Sequence, residues 1–218
     1  MSIDGLPAAA AVLGSGGVGR TLAAGLQSHG ITTTLGTSRA GDPEVAAWAA
    51  GSGVPLASFA DAAAAADVVL LVVPGAESAV TSAIAAAGDL DGKILIDVTN
   101  PLVYGDGGPQ LEVTGEDSGG ERLQRLVPGA KVVKAFNTVG SGLMIDPQLT
   151  GGPPVMFIAG DDDGAKAVTG ALLEELGWRW LDVGGIERSR ELEQLCVLWV
   201  AIGAKHGHWD HAFTLLRP

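Results

Sequence analysis

The feature that most constrains this chain is a glycine turn, Gly14-Ser15-Gly16-Gly17-Val18-Gly19, lying directly after the apolar run Ala8–Leu13 and directly before a helical pattern, Val18–His29. A G-x-G-x-x-G pattern alone is weak, because glycine-rich turns are common. Between a buried strand and a helix it becomes specific, since the free amides of the helix N-terminus and the helix dipole then face a pyrophosphate. Gly14 permits the tight turn, Gly16 lets phosphates approach the backbone, and Gly19 lets the helix pack on the strand. The turn therefore predicts a dinucleotide-binding βαβ unit, with Gly14, Ser15, Gly16, Gly17, Val18 and Gly19 as cofactor-binding candidates.

The rest of the chain continues that rhythm. Apolar strands are expected at Ile31–Gly36, Val54–Leu56, Val68–Val73, Lys93–Val98, Lys131–Phe136, Val155–Ala159 and Trp178–Val183. Between them lie helix-length segments at Glu44–Ala50, Phe59–Ala66, Ala76–Ala87, Glu121–Leu126 and Asp163–Leu176. This alternation predicts an α/β protein, a Rossmann-type doubly wound and mostly parallel sheet, with a small helical part from Ile186 onward. We expect residues 1–184 to form the dinucleotide-binding domain and 185–218 a small helical segment closing its cleft. Pro101–Gly120, rich in glycine and acidic residues, has no usable periodicity, and a loop of that length inside a domain is a lid or is disordered.

Composition narrows the partners. A net charge of −12 repels a phosphate backbone, which argues against nucleic acid. No apolar stretch is long enough to span a membrane. Met1-Ser2-Ile3-Asp4 lacks a basic leader, and one cysteine, Cys196, supplies no disulfide framework, so a cytoplasmic protein is expected.

Specificity is legible after the second strand. An NAD-binding unit ends that strand with Asp or Glu, which accepts the ribose hydroxyls. Here it reads Gly36-Thr37-Ser38-Arg39, two hydroxyls and a guanidinium suited to a 2′-phosphate. NADP is favoured over NAD, with Thr37, Ser38 and Arg39 as its readers. Open α/β sheets bind ligands at the carboxyl ends of their strands, which adds Val73-Pro74, Thr99-Asn100-Pro101 and Ala135-Phe136-Asn137-Thr138. Asn100 and Asn137 can donate and accept as a nicotinamide carboxamide requires, although each suits equally a turn residue bonding its own backbone. No Ser-x-x-x-Lys or Tyr-x-x-x-Lys pair supplies a proton donor, and the only tyrosine, Tyr104, falls in the long loop. That favours hydride moving between two cofactors held face to face.

Two polar clusters have plainer readings. His206, His208, Asp210 and His211 are crowded but lie among Trp209 and Phe213, which read as docking anchors rather than a metal site. Asp161-Asp162-Asp163 suits the cap and dipole of the following helix. No metal is expected. Leu192, Leu195, Trp199 and Ile202 form a helical stripe of core or of dimer surface.

The glycine turn, Thr37-Ser38-Arg39, Asp97-Val98-Thr99-Asn100-Pro101-Leu102, Lys134-Ala135-Phe136-Asn137-Thr138, Gly160-Asp161-Asp162, Leu192-Glu193 and Leu198-Trp199, in this order, resemble the NADPH-dependent coenzyme F420 reductases (F420H2:NADP oxidoreductases). The resemblance implies hydride transfer between NADP(H) and the deazaflavin coenzyme F420 as co-substrate. It places Gly14, Gly16, Gly19, Ser38 and Arg39 on NADP and Pro74, Asn100 and Ala135 near the nicotinamide. It also implies a homo-oligomer, a homodimer being the expected form. A reductase of another small acceptor (carbonyl, imine or flavin) and a non-catalytic NADPH sensor are the alternative readings.

Overall fold

The computed structural model describes residues 5–105 and 108–216. Met1–Asp4, read above for a leader, and Asp106 and Gly107 of the long loop lie outside the described residues, as do Arg217 and Pro218. One sheet of eight strands carries the fold, in the order β10-β9-β8-β5-β4-β1-β2-β3. Its strands are β1 (Ala9–Leu13), β2 (Thr32–Gly36), β3 (Leu56–Ala57), β4 (Val68–Leu71) and β5 (Ile94–Asp97), then β8 (Lys131–Lys134), β9 (Val155–Gly160) and β10 (Arg179–Asp182). The intervening β6 (Leu102–Gly105) and β7 (Gly108–Leu111) form a separate antiparallel hairpin. From β3 across to β8 all six strands run parallel, while β9 runs antiparallel to β8 and β10 parallel to β9.

Strand alternation divides the core into two layers. Ala10, Val12, Val68, Leu70, Ile96 and Val133 join one cluster, under α1 (Gly17–Ser28) and α6 (Asp163–Glu175). Ala11, Leu13, Val69, Leu71, Leu95 and Val132 join the other, under α3 (Phe59–Ala64), α4 (Glu77–Ala87) and α5 (Gly119–Leu126). All of β4 is buried, as an entirely apolar strand covered on both faces must be. α2 (Pro43–Ser52) leads to β3, and the final helix α7 (Ser189–His206) follows a 3₁₀ turn, Ile186–Arg188. The expected α/β architecture is therefore present, with strand ends displaced by a residue or two.

Pro101–Gly120 differs from its expectation of irregular chain. Leu102-Val103-Tyr104-Gly105 pairs with Gly108-Pro109-Gln110-Leu111, and Gly119-Gly120 already belong to α5. Neither strand alternates cleanly, and a lone two-stranded ribbon is marginal in water. Here it gains support from α7, against which β7 packs.

The chain after α7 folds back along it. The ring of His211 stacks on Trp199 with centroids 4.8 Å apart, and Trp209 meets the same indole at 5.5 Å. Trp199 Nε1 donates to the His211 carbonyl at 2.9 Å, and Val155 N donates to the Phe213 carbonyl at 3.0 Å. A methyl group at Gly203 would lie 2.5 Å from the Trp209 ring, so glycine makes room for that docking. Trp209 and Phe213 thus act as the anchors their sequence suggested. Asp162 caps α6 through Ala165 N at 2.8 Å, as expected, while Asp161 accepts from Ile186 N at 2.8 Å.

α7 is tied to α5 by a two-pronged ion pair, Arg190 Nε donating to Glu121 Oε2 at 2.8 Å and Nη2 to Oε1. The Arg190 hydrogen bonds hold the Glu121 carboxyl below the usual glutamate range, against a smaller opposing effect of burial. Because the folded value is depressed, this stabilisation is present above the unfolded value of 4.5 and is lost as pH falls through the folded one. In acid titrations of thermal stability, Glu121→Gln is expected to lose less than the wild type below about pH 4.5. An identical acid limb in both proteins would show that the pair contributes nothing.

Packing of α1 on β1 rests on Gly19. A Cβ there would stand 1.8 Å from the Gly14 carbonyl oxygen, in backbone that cannot yield. Gly19→Ala is expected to destabilise the fold by roughly 2 kcal/mol or more, measured by denaturant unfolding.

Candidate cofactor site

Most described helices begin with a carboxylate or a capping hydroxyl. Asp42 accepts from Glu44 N at the start of α2, Ser58 from Asp61 N at α3 and Ser118 from Glu121 N at α5. α1 is different. Its N-cap is Gly16, with no side-chain cap and no acidic residue in the first turn, a combination found at no other α-helix among the described residues. Its amides and the positive end of its dipole are left for an external anion.

The glycines around that end sort into two kinds. Gly14 has φ +130°, and a Cβ on it would lie 1.9 Å from the Val72 carbonyl oxygen, so β1 and β4 can approach only without a side chain there. At Gly16 and Gly17 a Cβ would meet nothing within 4 Å. Gly16 opens onto a cleft of about 320 Å³ lined also by Gly14, Ser15, Thr37, Ser38, Arg39, Val72, Val73 and Pro74, with Phe59. Glycine at the open positions leaves the cradle a methyl group would fill, which fits a pyrophosphate laid against the turn.

Beside the cradle the hydroxyls and the guanidinium form one network. Ser15 Oγ and Thr37 Oγ1 share a hydrogen bond of 2.8 Å, and Thr37 Oγ1 accepts from Arg39 N at 2.9 Å. Arg39 Nη2 donates to the Ser15 carbonyl at 3.2 Å, and its Nη1 stands 3.5 Å from Asp42, a loose and partly exposed pair of little strength. The Arg39 side chain remains half exposed at 52%. No carboxylate stands at the end of β2 itself.

The remaining candidates gather at the ends of β5 and β8. Asn100 Nδ2 donates to the Asn137 carbonyl at 2.8 Å, and Asn137 Nδ2 donates to Asn100 Oδ1 at 3.1 Å and to the Leu192 carbonyl at 2.9 Å. The two asparagines therefore lock the loops to each other and to α7 rather than each bonding its own turn. Asn137 Oδ1 is buried without a partner. Phe136 has φ +60°, a region bulky residues rarely occupy, and backbone held there costs about 1–3 kcal/mol. The side chains of Ala135 and Phe136 face the core, so only their backbone is available to a ligand. Val18 and Gly19 lie within the first turn of α1.

Three features escaped the sequence. Phe59 and Val72 line the cleft, and the signal for Phe59 is its place just past Leu56-Ala57, at a strand's carboxyl end. Gly75 allows the loop after β4 to touch the loop after β5, for a Cβ there would lie 1.8 Å from the Asn100 carbonyl oxygen. Lys134 is fully buried, its Nζ donating to Asp97, Glu193 and the Thr99 carbonyl. The signal was a charge closing each of two apolar strands, Asp97 on β5 and Lys134 on β8. Cys196 lies nearby, and burial pushes its thiol up to about 11, which leaves it protonated and poorly nucleophilic near neutral pH. Among the described residues no group of His, Cys, Asp and Glu is placed to hold a metal, and no helix is long and apolar enough to cross a membrane.

Comparison with known proteins gives the family. The family described as NADP oxidoreductase, coenzyme F420-dependent, matches residues 9–101. The F420-dependent NADP reductase of Methanothermobacter marburgensis is 32% identical over 159 residues, 69% of this chain and 68% of that protein. Metalloreductase STEAP3 of Rattus norvegicus is 30% identical over 185 residues, 84% of this chain, which spans only 35% of the length of that relative. The crystal structure of a provisionally assigned F420-dependent NADP reductase from Arthrobacter sp. FB24 superposes with a TM-score of 0.88 at 40% identity, covering 95% of this chain and 99% of that one. The chain belongs to the coenzyme F420-dependent NADP reductases, an oxidoreductase family that takes NADP as cofactor and F420 as co-substrate.

Proposed function

We propose that this protein transfers a hydride between NADP(H) and coenzyme F420. Residues 1–184 form the dinucleotide-binding unit in this reading, and 185–218 close the cleft. The observation that carries it is the uncapped α1 N-terminus beside the Ser15–Thr37–Arg39 network, an anion cradle next to a second cationic and hydroxylic anion site. Gly14 to Gly19 would hold the pyrophosphate, with Thr37, Ser38 and Arg39 on the 2′-phosphate. Val73, Pro74, Asn100, Ala135, Phe136 and Asn137 would flank the nicotinamide.

When bound, the nicotinamide supplies the hydride, or accepts it in the reverse direction. The chain's own contribution is placement. Amides of the turn fix the pyrophosphate, and the interlocked Asn100 and Asn137 hold the two loops at one separation, so that orientation supplies most of the rate. Lys134 gives no proton to a substrate, because its ammonium is engaged by three protein acceptors. That engagement suits an acceptor such as the deazaflavin, which can take its proton from solvent, better than a carbonyl or imine needing an adjacent acid to protonate its oxygen or nitrogen. We infer self-association as well, supported by exposed Leu198 on α7 and Tyr104 on the hairpin.

Mixing the protein with NADPH and oxidised F420 is expected to bleach the deazaflavin absorbance rapidly, and much more slowly with NADH. Tight NADPH binding without bleaching would discard F420 as the acceptor. Arg39→Ala is expected to weaken NADPH by about ten- to a hundredfold, from the ~1.5–3 kcal/mol of a charge-assisted hydrogen bond, and to leave NADH nearly unchanged. Equal affinities before and after that substitution would remove Arg39 from the site. Gly16→Ala, in contrast to a change at Gly19, should fold with stability within about 0.5 kcal/mol of wild type while binding NADPH more weakly. Unfolding curves and NADPH fluorescence titrations together separate the two effects.

A further inference from the structure

Lys134, Asp97 and Glu193 are each fully buried, and they form one hydrogen-bonded cluster. Nζ of Lys134 lies 2.9 Å from Asp97 Oδ2, 2.9 Å from Glu193 Oε1 and 2.7 Å from the Thr99 carbonyl oxygen. Every other partner of the carboxylates is also a donor. Asp97 Oδ1 accepts from Thr99 N and Thr99 Oγ1, and Glu193 accepts from Gly119 N and Gly120 N. An arrangement in which all neighbours donate requires no proton on either carboxylate. Burial acts against the ammonium, but Asp97 and Glu193 outweigh it and hold the Lys134 pKa above the ordinary lysine range. The cluster therefore carries one positive and two negative charges, and the α5 amides on Glu193 offset only part of the excess.

Stability alone does not account for such a group, since apolar packing often matches or betters a buried ion pair even though stripping one partner from it is costly. Position does. The Thr99 carbonyl on the ammonium is two covalent bonds from the nitrogen of Asn100, and Lys134 directly precedes Ala135-Phe136-Asn137. The excess charge thus sits under the two loops assigned to the nicotinamide, in a fully buried interior where charges are weakly screened.

Resting on the reading of this cleft as an NADP site, we propose that the Asp97–Lys134–Glu193 cluster discriminates between the oxidation states of the cofactor, with Glu193 supplying the charge that favours the oxidised form. The nicotinamide ring is cationic when oxidised and neutral once it has taken up a hydride, two electrons and a proton. A residual negative charge beneath it holds the cationic ring more tightly, and so makes the reduced cofactor a stronger hydride donor on the protein than in solution. Glu193 comes from α7, so the helix that closes the fold also sets this balance.

The test is the ratio of two dissociation constants on the full chain, NADPH by its fluorescence and NADP+ by competition against it. Glu193→Gln is expected to weaken NADP+ about threefold or more relative to NADPH, whereas Glu193→Asp, which keeps the charge, restores the wild-type ratio. Parallel losses of both affinities in Glu193→Gln would reveal a purely structural role and overturn the inference. Should that variant not fold, the wild type decides: NADPH bound more than about tenfold tighter than NADP+ overturns the inference, and NADP+ bound as tightly or more tightly upholds it. A wild type that binds neither form overturns the NADP reading itself.

Discussion

The buried ammonium of Lys134 is the point on which the rest of the structure depends. It is reached from four directions: β8 carries it, β5 supplies Asp97, the loop after β5 supplies the Thr99 carbonyl, and α7 supplies Glu193. Glu193 in turn receives the first amides of α5. Two strand ends, a loop and two helices are thereby fixed around one nitrogen atom. Stripping a partner from such a cluster typically costs about 3–5 kcal/mol, a large part of the ~5–15 kcal/mol by which a domain is stable. The loops that follow β5 and β8 inherit their positions from it, and the reciprocal asparagine bonds tie those two loops to each other.

Charge is distributed to the same end. The chain is acidic overall, yet many of its described carboxylates sit at helix starts or in ion pairs such as Glu121 with Arg190 and Asp117 with Arg122 and Arg125. Only the start of α1 among the described α-helices is left with neither cap nor acid. A protein that repels polyanions in bulk thus keeps one local attraction for phosphate, strengthened by Arg39 folded across the turn.

Much of this was legible beforehand because its causes are local. A strand, a turn and a helix that meet within about twenty residues announce themselves by periodicity and by glycine, and the absence of a carboxylate after β2 is visible by inspection. What escaped depends on distant partners. Asp97, Lys134 and Glu193 are far apart in sequence, and no pattern near any of them states that the others will arrive. The hairpin after β5 was invisible for the same reason, since its stability is lent by α7 rather than by its own alternation. The left-handed backbone of Phe136 could not be foreseen, as an aromatic residue signals the opposite preference.

The reversal of direction at β9 and β10 shapes what the molecule can join. Strand edges are where sheets recruit further strands, and natural sheets guard them with charge or brevity. Here one edge ends in a two-residue β3 and the other in β10, whose terminal residues Arg179 and Asp182 are exposed and charged. Neither border offers a long apolar template. A contact between copies that extended the sheet from one molecule into the next would find no such template here, whereas side-chain packing on helical or hairpin surfaces needs none.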